Sequence, residues 1–358
     1  MRFLQLFIGT LITASLAVLS VISPSYAQPA FDPPGLDIAI AAQERHTENL
    51  LEIQGVVGTG VGVGADGGAV VKIYTETVGV GRLPNNLNGV PVVVQVTGKI
   101  QALHHREGHG GGGPPGGGGG NGGGEEVDPT SRFDRPVPIG VSSGNAEPGN
   151  VCAAGTLGAR VTDGLDVYAL SNNHVYALEN TAAIGEPITQ PGALDTGCIV
   201  DLVNDVVGTL AAFVPILFDG TNNTVDAAIA LDSTGSVGNS TPLDGYGTPK
   251  SAIVLEAVGE SVQKYGRTSS LTKGTINGIN VTINVGYDSG VATFVGQIEV
   301  ESDKGPFIKA GDSGSLLVTD PGRNPVGLLF AGNKSGKTAF ANPIDAVLTA
   351  LGVSVDGE

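Results

Sequence analysis

A short segment flanked by glycines carries the strongest candidate nucleophile in this sequence. Gly311-Asp312-Ser313-Gly314 places a serine between two glycines. A nucleophilic serine needs a tight turn that exposes its hydroxyl, and backbone N–H groups directed at the oxyanion that develops during acyl transfer. Glycine permits such a turn. Because the chain contains 57 glycines, the tetrapeptide carries weight only if a general base accompanies it.

His174 is the base available to Ser313. It is the only histidine in residues 132–358, and it follows the apolar segment 167–170. A structural histidine at the end of a strand is the alternative interpretation. Any serine–histidine mechanism in this part of the chain must nevertheless use His174.

Asp226 is the candidate for the carboxylate that orients the imidazole. Such a carboxylate is buried and holds the histidine in the productive tautomer. Asp226 stands at the head of the apolar segment 227–231, where a strand enters a core. A turn aspartate beside the strand is the alternative. Four other acids lie in polar segments and are poorer candidates: Asp195, Asp201, Asp205 and Asp219.

The order of the three residues along the chain restricts the fold. The Ser, acid, His order of α/β-hydrolases is excluded because no histidine follows Ser313. The Asp, His, Ser order of subtilisin would need Asp163 or Asp166, and neither lies in a βαβ context. The order His174, Asp226, Ser313 remains, with enough chain between its members to distribute them over two barrels.

The elements that must position these residues are mostly strands. From residue 132 onward, short apolar segments are separated by Gly, Asn, Asp and Pro, which is typical of an all-β barrel or sandwich. Strands are predicted near 167–170, 227–231, 252–255, 279–285, 292–300, 315–318 and 326–330. A helix is predicted over 343–351, with Pro343 in its first turn.

The N-terminal third predicts a small α+β module over residues 36–103. A helix is expected over 36–53 with Asp37 as its cap. Strands are expected over 56–63, 70–74 and 90–96, with a hairpin turn at Asp66-Gly67 between the first two. The role of this module stays open: a propeptide, an inhibitor in cis, or an adaptor for a substrate or a surface.

Two further segments complete the predicted organisation. Residues 1–27 are interpreted as a signal peptide, because an apolar run ends at the small residues of Ser25-Tyr26-Ala27; a membrane anchor is the weaker alternative. Residues 104–131 are interpreted as a flexible linker, because 108–124 is almost entirely glycine. This tether favours a module that moves independently. The histidines at its edge (His104, His105 and His109) would be mobile ligands, and we expect no metal and no cofactor.

The charge of the chain excludes some partners. With 18 basic and 35 acidic residues, the formal net charge is −17. This argues against a nucleic-acid surface and against docking on anionic lipid. We expect a secreted protein without membrane attachment after signal cleavage. The sequence does not indicate an oligomeric state.

The chain resembles the trypsin/chymotrypsin-like serine peptidases over about residues 137–350, and is similar to bacterial and plant trypsin-like proteins of the narrow-leaf type. Five segments carry the resemblance: Cys152-Ala153-Ala154-Gly155-Thr156-Leu157, Asn172-Asn173-His174-Val175, Val225-Asp226-Ala227-Ala228-Ile229-Ala230, Gly311-Asp312-Ser313-Gly314-Ser315 and Gly327-Leu328-Leu329-Phe330-Ala331-Gly332. The resemblance implies an all-β fold, a chymotrypsin-like double β-barrel with the active site in the cleft. Residues 132–358 would form this domain, preceded by the small α+β N-terminal module.

The resemblance also implies roles. His174 would be the general base and then the general acid, and Asp226 would fix its tautomer. The N–H groups of Gly311 and Ser313 would form the oxyanion hole. The implied substrate-binding positions are Phe307, Phe330, Ala331 and Gly332.

Several positions depart from the pattern of that family. Phe307 stands at the base of the specificity pocket, so cleavage after Lys or Arg is not expected. Phe330 stands where a serine usually assists the triad aspartate. Arg135-Pro136 is a poor scissile bond, so activation by a new N-terminus pairing with Asp312 is not expected.

The two cysteines allow one disulfide. A secreted chain meets an oxidising environment, and a bond between Cys152 and Cys198 would stabilise the fold by roughly 4 kcal/mol. The family partner of Cys152 is replaced by Val175, so Cys152 either pairs with Cys198 or stays free.

Taken together, these features predict a secreted serine endopeptidase acting on a peptide or protein substrate. The rival hypothesis is a protein that keeps the fold for binding or assembly without catalysis. An esterase using the same triad is a third.

Overall fold

The computed structural model describes residues 33–103, 127–147 and 152–358, and also the backbone of Tyr26–Ala27 and His105–Arg106. Residues 1–25 of the predicted signal peptide and nearly all of the predicted glycine-rich segment lie outside the described residues.

Strands dominate the described part of the chain. The helices are α1 (Leu36–Leu51), α2 (Asn173–Tyr176) and α3 (Ile344–Leu351), with a 3-10 helix over Ala193–Thr196. The strands are β1 (Tyr26–Ala27), β2 (Val56–Val63), β3 (Ala69–Thr75), β4 (Asn86–Leu87), β5 (Val90–Val96), β6 (Ile100–Ala102), β7 (His105–Arg106), β8 (Ser142–Asn145), β9 (Ala153–Thr156), β10 (Ala159–Thr162), β11 (Val167–Ser171), β12 (Pro187–Thr189), β13 (Val206–Phe213), β14 (Ala228–Asp232), β15 (Ile253–Val254), β16 (Ser261–Gly266), β17 (Ser270–Gly286), β18 (Val291–Ser302), β19 (Leu316–Thr319), β20 (Pro325–Asn333), β21 (Thr338–Pro343) and β22 (Ser354–Val355).

The C-terminal half forms a closed antiparallel barrel, which we call the second barrel. Its strand order is β16-β19-β20-β21-β18-β17, and β17 pairs again with β16. Closure removes the free edges of the sheet. Alternate side chains point inward, and Ile298, Val300, Leu317 and Leu329 are all buried in its core.

The preceding residues form the first barrel. Its antiparallel order is β10-β11-β14-β13-β12-β8-β9. Leu157, Ile188 and Leu210 lie in its core. A third apolar cluster joins the two barrels, because Ile344 and Val347 of α3 pack together with Leu170 of the first barrel and Leu328 of the second. The predicted double β-barrel is confirmed.

The N-terminal module is continuous with the second barrel. β2 and β3 form an antiparallel hairpin, β3 pairs with β5, and β2 pairs with β17. The expectation that this module moves independently is therefore wrong. β17 is 17 residues long, and its backbone N–H and C=O groups form hydrogen bonds with β2. The module is therefore part of the same sheet as the second barrel.

Two local predictions in this module have different outcomes. The hairpin turn at Asp66-Gly67 is confirmed: Gly67 has φ +82°, and Asp66 Oδ1 accepts a hydrogen bond from Gly68 N–H at 3.2 Å. The Asp37 cap is wrong, because α1 is preceded by Gly35 at the cap position. Asp37 lies instead in the first turn, where its charge is favourable to the helix dipole.

The two cysteines form a disulfide, with Cα atoms of Cys152 and Cys198 5.5 Å apart. This bond ties the residue before β9 to Cys198, the second residue after the 3-10 helix. The pairing allowed by the sequence is confirmed. Among the residues described, no helix combines the length and the apolar character needed to cross a membrane.

Candidate active site

His174 lies in the short helix α2, directly after β11. The strand ends at Ser171, and the chain turns so that the His174 side chain is buried between the barrels. Its Nδ1 lies 2.5 Å from Asp226 Oδ2. A hydrogen bond to a carboxylate at this nitrogen favours the tautomer protonated at Nδ1.

Asp226 lies two residues before β14, whose first three residues are buried, and is itself fully buried. Its carboxylate accepts three hydrogen bonds, from His174 Nδ1, from His174 N–H at 3.1 Å and from the Tyr287 hydroxyl at 2.8 Å. Its backbone N–H donates to Asn342 Oδ1 at 3.0 Å. A buried carboxylate is stabilised by such donors. The sequence-predicted pair of His174 and Asp226 is brought together.

Tyr287 is a site residue that the sequence analysis missed. It lies between β17 and β18, its ring packs edge-on against the His174 ring at 5.9 Å, and burial, followed by the Asp226 charge, raises its pKa well above the usual value. The hydroxyl therefore stays protonated and donates to Asp226. The Tyr287 hydroxyl donates a hydrogen bond to Asp226. Phe330, at the position where the resembled family usually has a serine near this aspartate, has no side-chain donor. The local sequence around Tyr287 carries no signal of this contact, which joins residues 61 positions apart.

The Ser313 turn requires its two glycines. Gly311 has φ +97°, and a Cβ there would lie 2.5 Å from Thr268 Oγ1. Gly314 has φ +94°, and a Cβ there would lie 2.2 Å from Ser171 Oγ. Both positions combine left-handed backbone with close neighbours, so only glycine fits. Ser313 is fully buried, and its Oγ donates to Phe330 O at 3.2 Å.

The turn is seated against the first barrel. Thr156 N–H of β9 donates to Ser313 O at 2.8 Å, and Ser171 Oγ donates to Thr156 O at 2.8 Å. A Cβ on Gly155 would lie 2.6 Å from Val175 and 3.1 Å from Ser313 O. The nucleophile turn and the residue after His174 therefore both pack against the Cα of Gly155, where a side chain would not fit.

The Asp312 carboxylate fixes the turn through hydrogen bonds to neighbouring backbone groups. Its carboxylate accepts hydrogen bonds from Thr268 N–H at 2.8 Å, Ser269 N–H at 3.1 Å and Lys309 N–H at 2.8 Å. Lys264 Nζ lies 3.4 Å away, and burial lowers the pKa of this lysine while Asp312 opposes the shift. In this structure Lys264 is the cation beside Asp312, and no pairing of Asp312 with a chain N-terminus is needed to form the Ser313 turn.

The four predicted substrate-binding positions line the second barrel. Phe307 packs into the core of that barrel, and no acid stands at the position. Phe330, Ala331 and Gly332 belong to β20, where Ala331 and Gly332 pair through their backbone with β6.

The N–H of Gly311 donates to a peptide carbonyl. Its partner is the oxygen of Leu103, at 2.7 Å. An oxyanion-hole donor should lie 2.7–3.1 Å from the oxygen it serves. The N–H that the sequence analysis assigns to the oxyanion hole is therefore satisfied by the chain's own Leu103 carbonyl, and its role in an oxyanion hole stays a prediction.

Metal-ligating side chains do not converge in this region. Within the described ranges, no group of three or more His, Cys, Asp or Glu side chains has the arrangement of a metal site. The side chains of His104, His105 and His109 lie outside those ranges.

One curated relative is similar to this chain in sequence. Streptogrisin-A of Streptomyces griseus is 35% identical to this chain over 101 residues, which is 27% of this chain and 31% of streptogrisin-A. The chain has the trypsin/chymotrypsin-like serine peptidase fold. Its match spans less than a third of the length of streptogrisin-A.

Further comparisons extend this result. Residues 204–344 match the family described as the Nal1 C-terminal domain. A glutamic-acid-specific serine protease is similar in structure, with 21% identity, 61% of this chain and 100% of that chain covered, and a TM-score of 0.44. Protease A of Thermobifida fusca has 20% identity, 62% and 100% coverage, and a TM-score of 0.43.

Proposed function

We propose that this protein is a secreted serine endopeptidase that hydrolyses peptide bonds through His174, Asp226 and Ser313. Ser313 Oγ attacks the carbonyl carbon of the substrate, and its proton passes to His174. The N–H groups of Gly311 and Ser313 stabilise the oxyanion. His174 then protonates the leaving amine, and water hydrolyses the acyl-enzyme with His174 as base.

The observation that carries this proposal is the buried pair of His174 and Asp226. A fully buried carboxylate is costly to desolvate, and a buried polar pair is weak evidence for a stabilising role. Here the carboxylate meets both the ring and the backbone of one histidine, at 2.5 and 3.1 Å. This arrangement fixes the imidazole so that Nε2 is the proton acceptor, which general base catalysis requires.

Catalysis requires Ser313 to change its hydrogen bond. In the present conformation Ser313 Oγ donates to Phe330 O. A rotation about χ1 would exchange that partner for His174 Nε2. Such bonds are often formed only when substrate is bound.

The backbone of β20 supports a peptide as the substrate, because an extended segment can pair with this strand. Ala331 and Gly332 already pair with an extended segment of the chain, and this mode of binding recognises backbone rather than a particular side chain. Of the proteins named above, one is a glutamic-acid-specific serine protease by name and another is a protease by name. The disulfide and the expected signal peptide support an extracellular or periplasmic location.

One observation favours the rival hypothesis of a non-catalytic binding protein. Ser313 Oγ is engaged with Phe330 O, while Leu103 O engages Gly311 N–H. A protein that keeps the fold for binding could retain this closed arrangement. Peptide hydrolysis distinguishes the two hypotheses.

The experiment compares the secreted protein, Leu103→Asp and Ser313→Ala with a pool of unmodified peptides, and products are identified by mass spectrometry. Leu103→Asp is included because the carbonyl oxygen of Leu103 accepts the hydrogen bond from Gly311 N–H. A charged side chain at this position, which packs against an apolar cluster, should displace the segment. We expect cleavage by the first two proteins and a loss of roughly 10⁴-fold or more in Ser313→Ala. If the wild type and Leu103→Asp are folded and both bind peptides without cleaving them, the binding hypothesis is correct.

A further inference from the structure

The chain takes an uncommon backbone conformation just after the helix that carries His174. Leu178, Glu179 and Asn180 have φ values of +50°, +55° and +74°. Among the residues that the structure describes, no other three consecutive non-glycine residues have positive φ. A side chain larger than hydrogen strains this backbone region, and such strain persists where the surrounding structure imposes it, commonly near functional sites. The contacts of segment 178–180 show what imposes it here.

Asn180 attaches this segment to the residue before His174. Its N–H donates to Asn173 Oδ1 at 3.1 Å, and its Oδ1 accepts from Asn173 Nδ2 at 2.8 Å. The same side-chain amide pairs with the backbone of Ile216, accepting from its N–H and donating to its O, each at 2.8 Å. These four hydrogen bonds hold the left-handed segment in a fixed position relative to α2.

Glu179 extends from this segment to the second barrel. The residue is buried, and its two carboxylate oxygens accept hydrogen bonds from Asp288 N–H at 3.2 Å and from Ser289 N–H at 2.8 Å. These donors belong to the turn between β17 and β18, which Tyr287 N–H closes by donating to Gly290 O at 2.7 Å. Two backbone donors on one carboxylate fix the orientation of a turn. The loop after His174 therefore holds the turn that carries Tyr287.

Tyr287 connects this turn to the His174–Asp226 pair. Its hydroxyl donates at 2.8 Å to Asp226 Oδ2, the same oxygen that contacts His174 Nδ1. Its ring packs edge-on against the rings of His174 and Phe218. Burial, then Asp226 and then Glu179 raise the pKa of Tyr287, so its hydroxyl remains a donor. A continuous series of contacts therefore leads from Glu179 through Tyr287 to the carboxylate that orients the imidazole.

We propose that Glu179 is a positioning residue for the candidate triad. By binding the backbone of residues 288 and 289, it holds the Tyr287 hydroxyl on Asp226. That hydrogen bond keeps the carboxylate in place for the His174 ring. This role rests on the proposed function, in which the His174 ring exchanges protons. Glu179 itself takes no part in proton transfer and acts through Tyr287.

A purely structural role for Glu179 is the competing account. In that case the carboxylate stabilises the loop after α2, and its removal affects the whole fold. The two accounts differ in what they expect of the Tyr287 hydroxyl. If Glu179 positions the triad, its effect on turnover passes through this hydroxyl and disappears when the hydroxyl is removed. A structural role leaves the two effects independent.

Proton NMR of the full secreted chain measures the positioning without any substrate. The proton on His174 Nδ1, held by Asp226, should give a resonance far downfield that is absent from His174→Ala. We expect its exchange with water to be roughly tenfold faster in Glu179→Gln and in Tyr287→Phe, because each variant weakens one hydrogen bond to a carboxylate. An unchanged exchange rate in Glu179→Gln overturns the proposal.

Steady-state kinetics on a peptide measures the effect on the proposed reaction, in whichever of the wild type and Leu103→Asp hydrolyses it faster. Glu179→Gln should lower kcat roughly tenfold and leave KM within about twofold. The double variant with Tyr287→Phe should have the kcat of Tyr287→Phe within about twofold. If the two effects instead multiply, Glu179 does not act through the hydroxyl and the proposal is wrong.

Two further variants separate positioning from loss of structure. Glu179→Gly removes the carboxylate at a residue with φ +55°, where glycine is unstrained. It should fold and lose at least as much kcat as Glu179→Gln. The matched control is Glu186→Gln in the first barrel, whose carboxylate accepts from Ala183 N–H at 2.9 Å and Asn145 Nδ2 at 2.8 Å. It should keep the wild-type kcat and exchange rate; losses equal to those of Glu179→Gln contradict the positioning role.

The two proposals fail separately. If neither the wild type nor Leu103→Asp hydrolyses peptide, the proposed function fails, and the exchange rate of the Nδ1 proton alone decides the role of Glu179. If peptide is hydrolysed and Glu179→Gln keeps the wild-type kcat and exchange rate, the positioning role fails while the peptidase function stands.

Discussion

Two fully buried aspartates belong to the candidate site, Asp226 beside His174 and Asp312 beside Ser313, and their carboxylates have different partners. Asp226, on the first barrel, directs its carboxylate at one histidine and one tyrosine hydroxyl. Asp312, next to Ser313, directs its carboxylate at backbone N–H groups of two loops, from Thr268, Ser269 and Lys309. Asp226 orients His174, which exchanges protons in the proposed reaction, whereas Asp312 fixes the backbone around Ser313.

The contrast shows that burial alone does not identify a catalytic carboxylate. Both carboxylates are stabilised by several donors, which is what a buried charge needs. The identity of the donors is what differs. Asp226 serves groups that take part in the proposed reaction, whereas Asp312 serves groups that only hold the turn.

The largest expected effect comes from Asp226→Asn. The amide no longer favours the tautomer protonated at Nδ1, so kcat should fall roughly 10⁴-fold. The free energy of unfolding should change less than in the Asp312 variant, because His174 is not left as an unpaired charge. Steady-state kinetics on a peptide together with urea unfolding checks both expectations. A kcat within tenfold of the wild type would remove Asp226 from the triad.

Asp312→Asn should act mainly on stability. It removes the carboxylate that pairs with buried Lys264 and presents amide hydrogens to backbone donors. Breaking a buried pair in this way costs about 3–5 kcal/mol. We expect that loss in urea unfolding, together with reduced kcat because the turn carries Gly311 and Ser313. The matched control is Asp163→Asn at a partly exposed acid in the turn between β10 and β11; equal stability of the two variants would contradict the role given to Asp312.

Tyr287→Phe should lower kcat by less than Asp226→Asn does. It tests Asp226 alone, because the Tyr287 hydroxyl donates to Asp226 and not to Asp312. It removes one hydrogen bond to the Asp226 carboxylate, worth about 2 kcal/mol for a charged acceptor. If the bond supports catalysis, kcat falls by roughly 30-fold. The control is Tyr168→Phe, which removes a hydroxyl that donates to Asp163 at the surface. An unchanged kcat in Tyr287→Phe would show that this hydroxyl only fills space.

Glu256 shows what burial does to a carboxylate whose hydrogen bond from its own backbone only partly offsets the desolvation. Burial, followed by the charge of Asp345, raises its pKa to about 7. The folded state then binds more protons than the unfolded state between about pH 4.5 and pH 7, so stability falls as pH rises through that window. Glu256→Gln should remove this loss and stabilise the protein by about 1–2 kcal/mol at pH 8, with little change at pH 4. Urea unfolding at the two pH values checks this; a greater gain at pH 4 would be the wrong sign.

The sequence predicts the parts of the site that depend on local pattern. The glycines on either side of Asp312-Ser313 reflect a left-handed backbone, and Asp226 stands at the head of its apolar strand. The order His174, Asp226, Ser313 predicts the double barrel. These features belong to short segments, so they can be read without knowing which strands pair.

The remaining features depend on distant pairings. Tyr287 reaches Asp226 because β17 and β18 pair and turn at that point. Leu103 reaches Gly311 because β6 pairs with β20, more than two hundred residues later in the chain. The glycine-rich composition after residue 107 favoured an independent module, yet β2 joins β17. Nothing in the sequence of β2 or β6 alone names its partner.

The central claim is that Ser313 is a nucleophile activated by His174, and covalent labelling tests it most directly. Leu103→Asp, alone and combined with His174→Ala, is treated with a fluorophosphonate probe, and the adduct is located by peptide mapping. We predict a single adduct on Ser313 whose formation slows by roughly 10³-fold or more without His174. An adduct on another residue, or labelling of Ser313 at the same rate in both proteins, would contradict the triad.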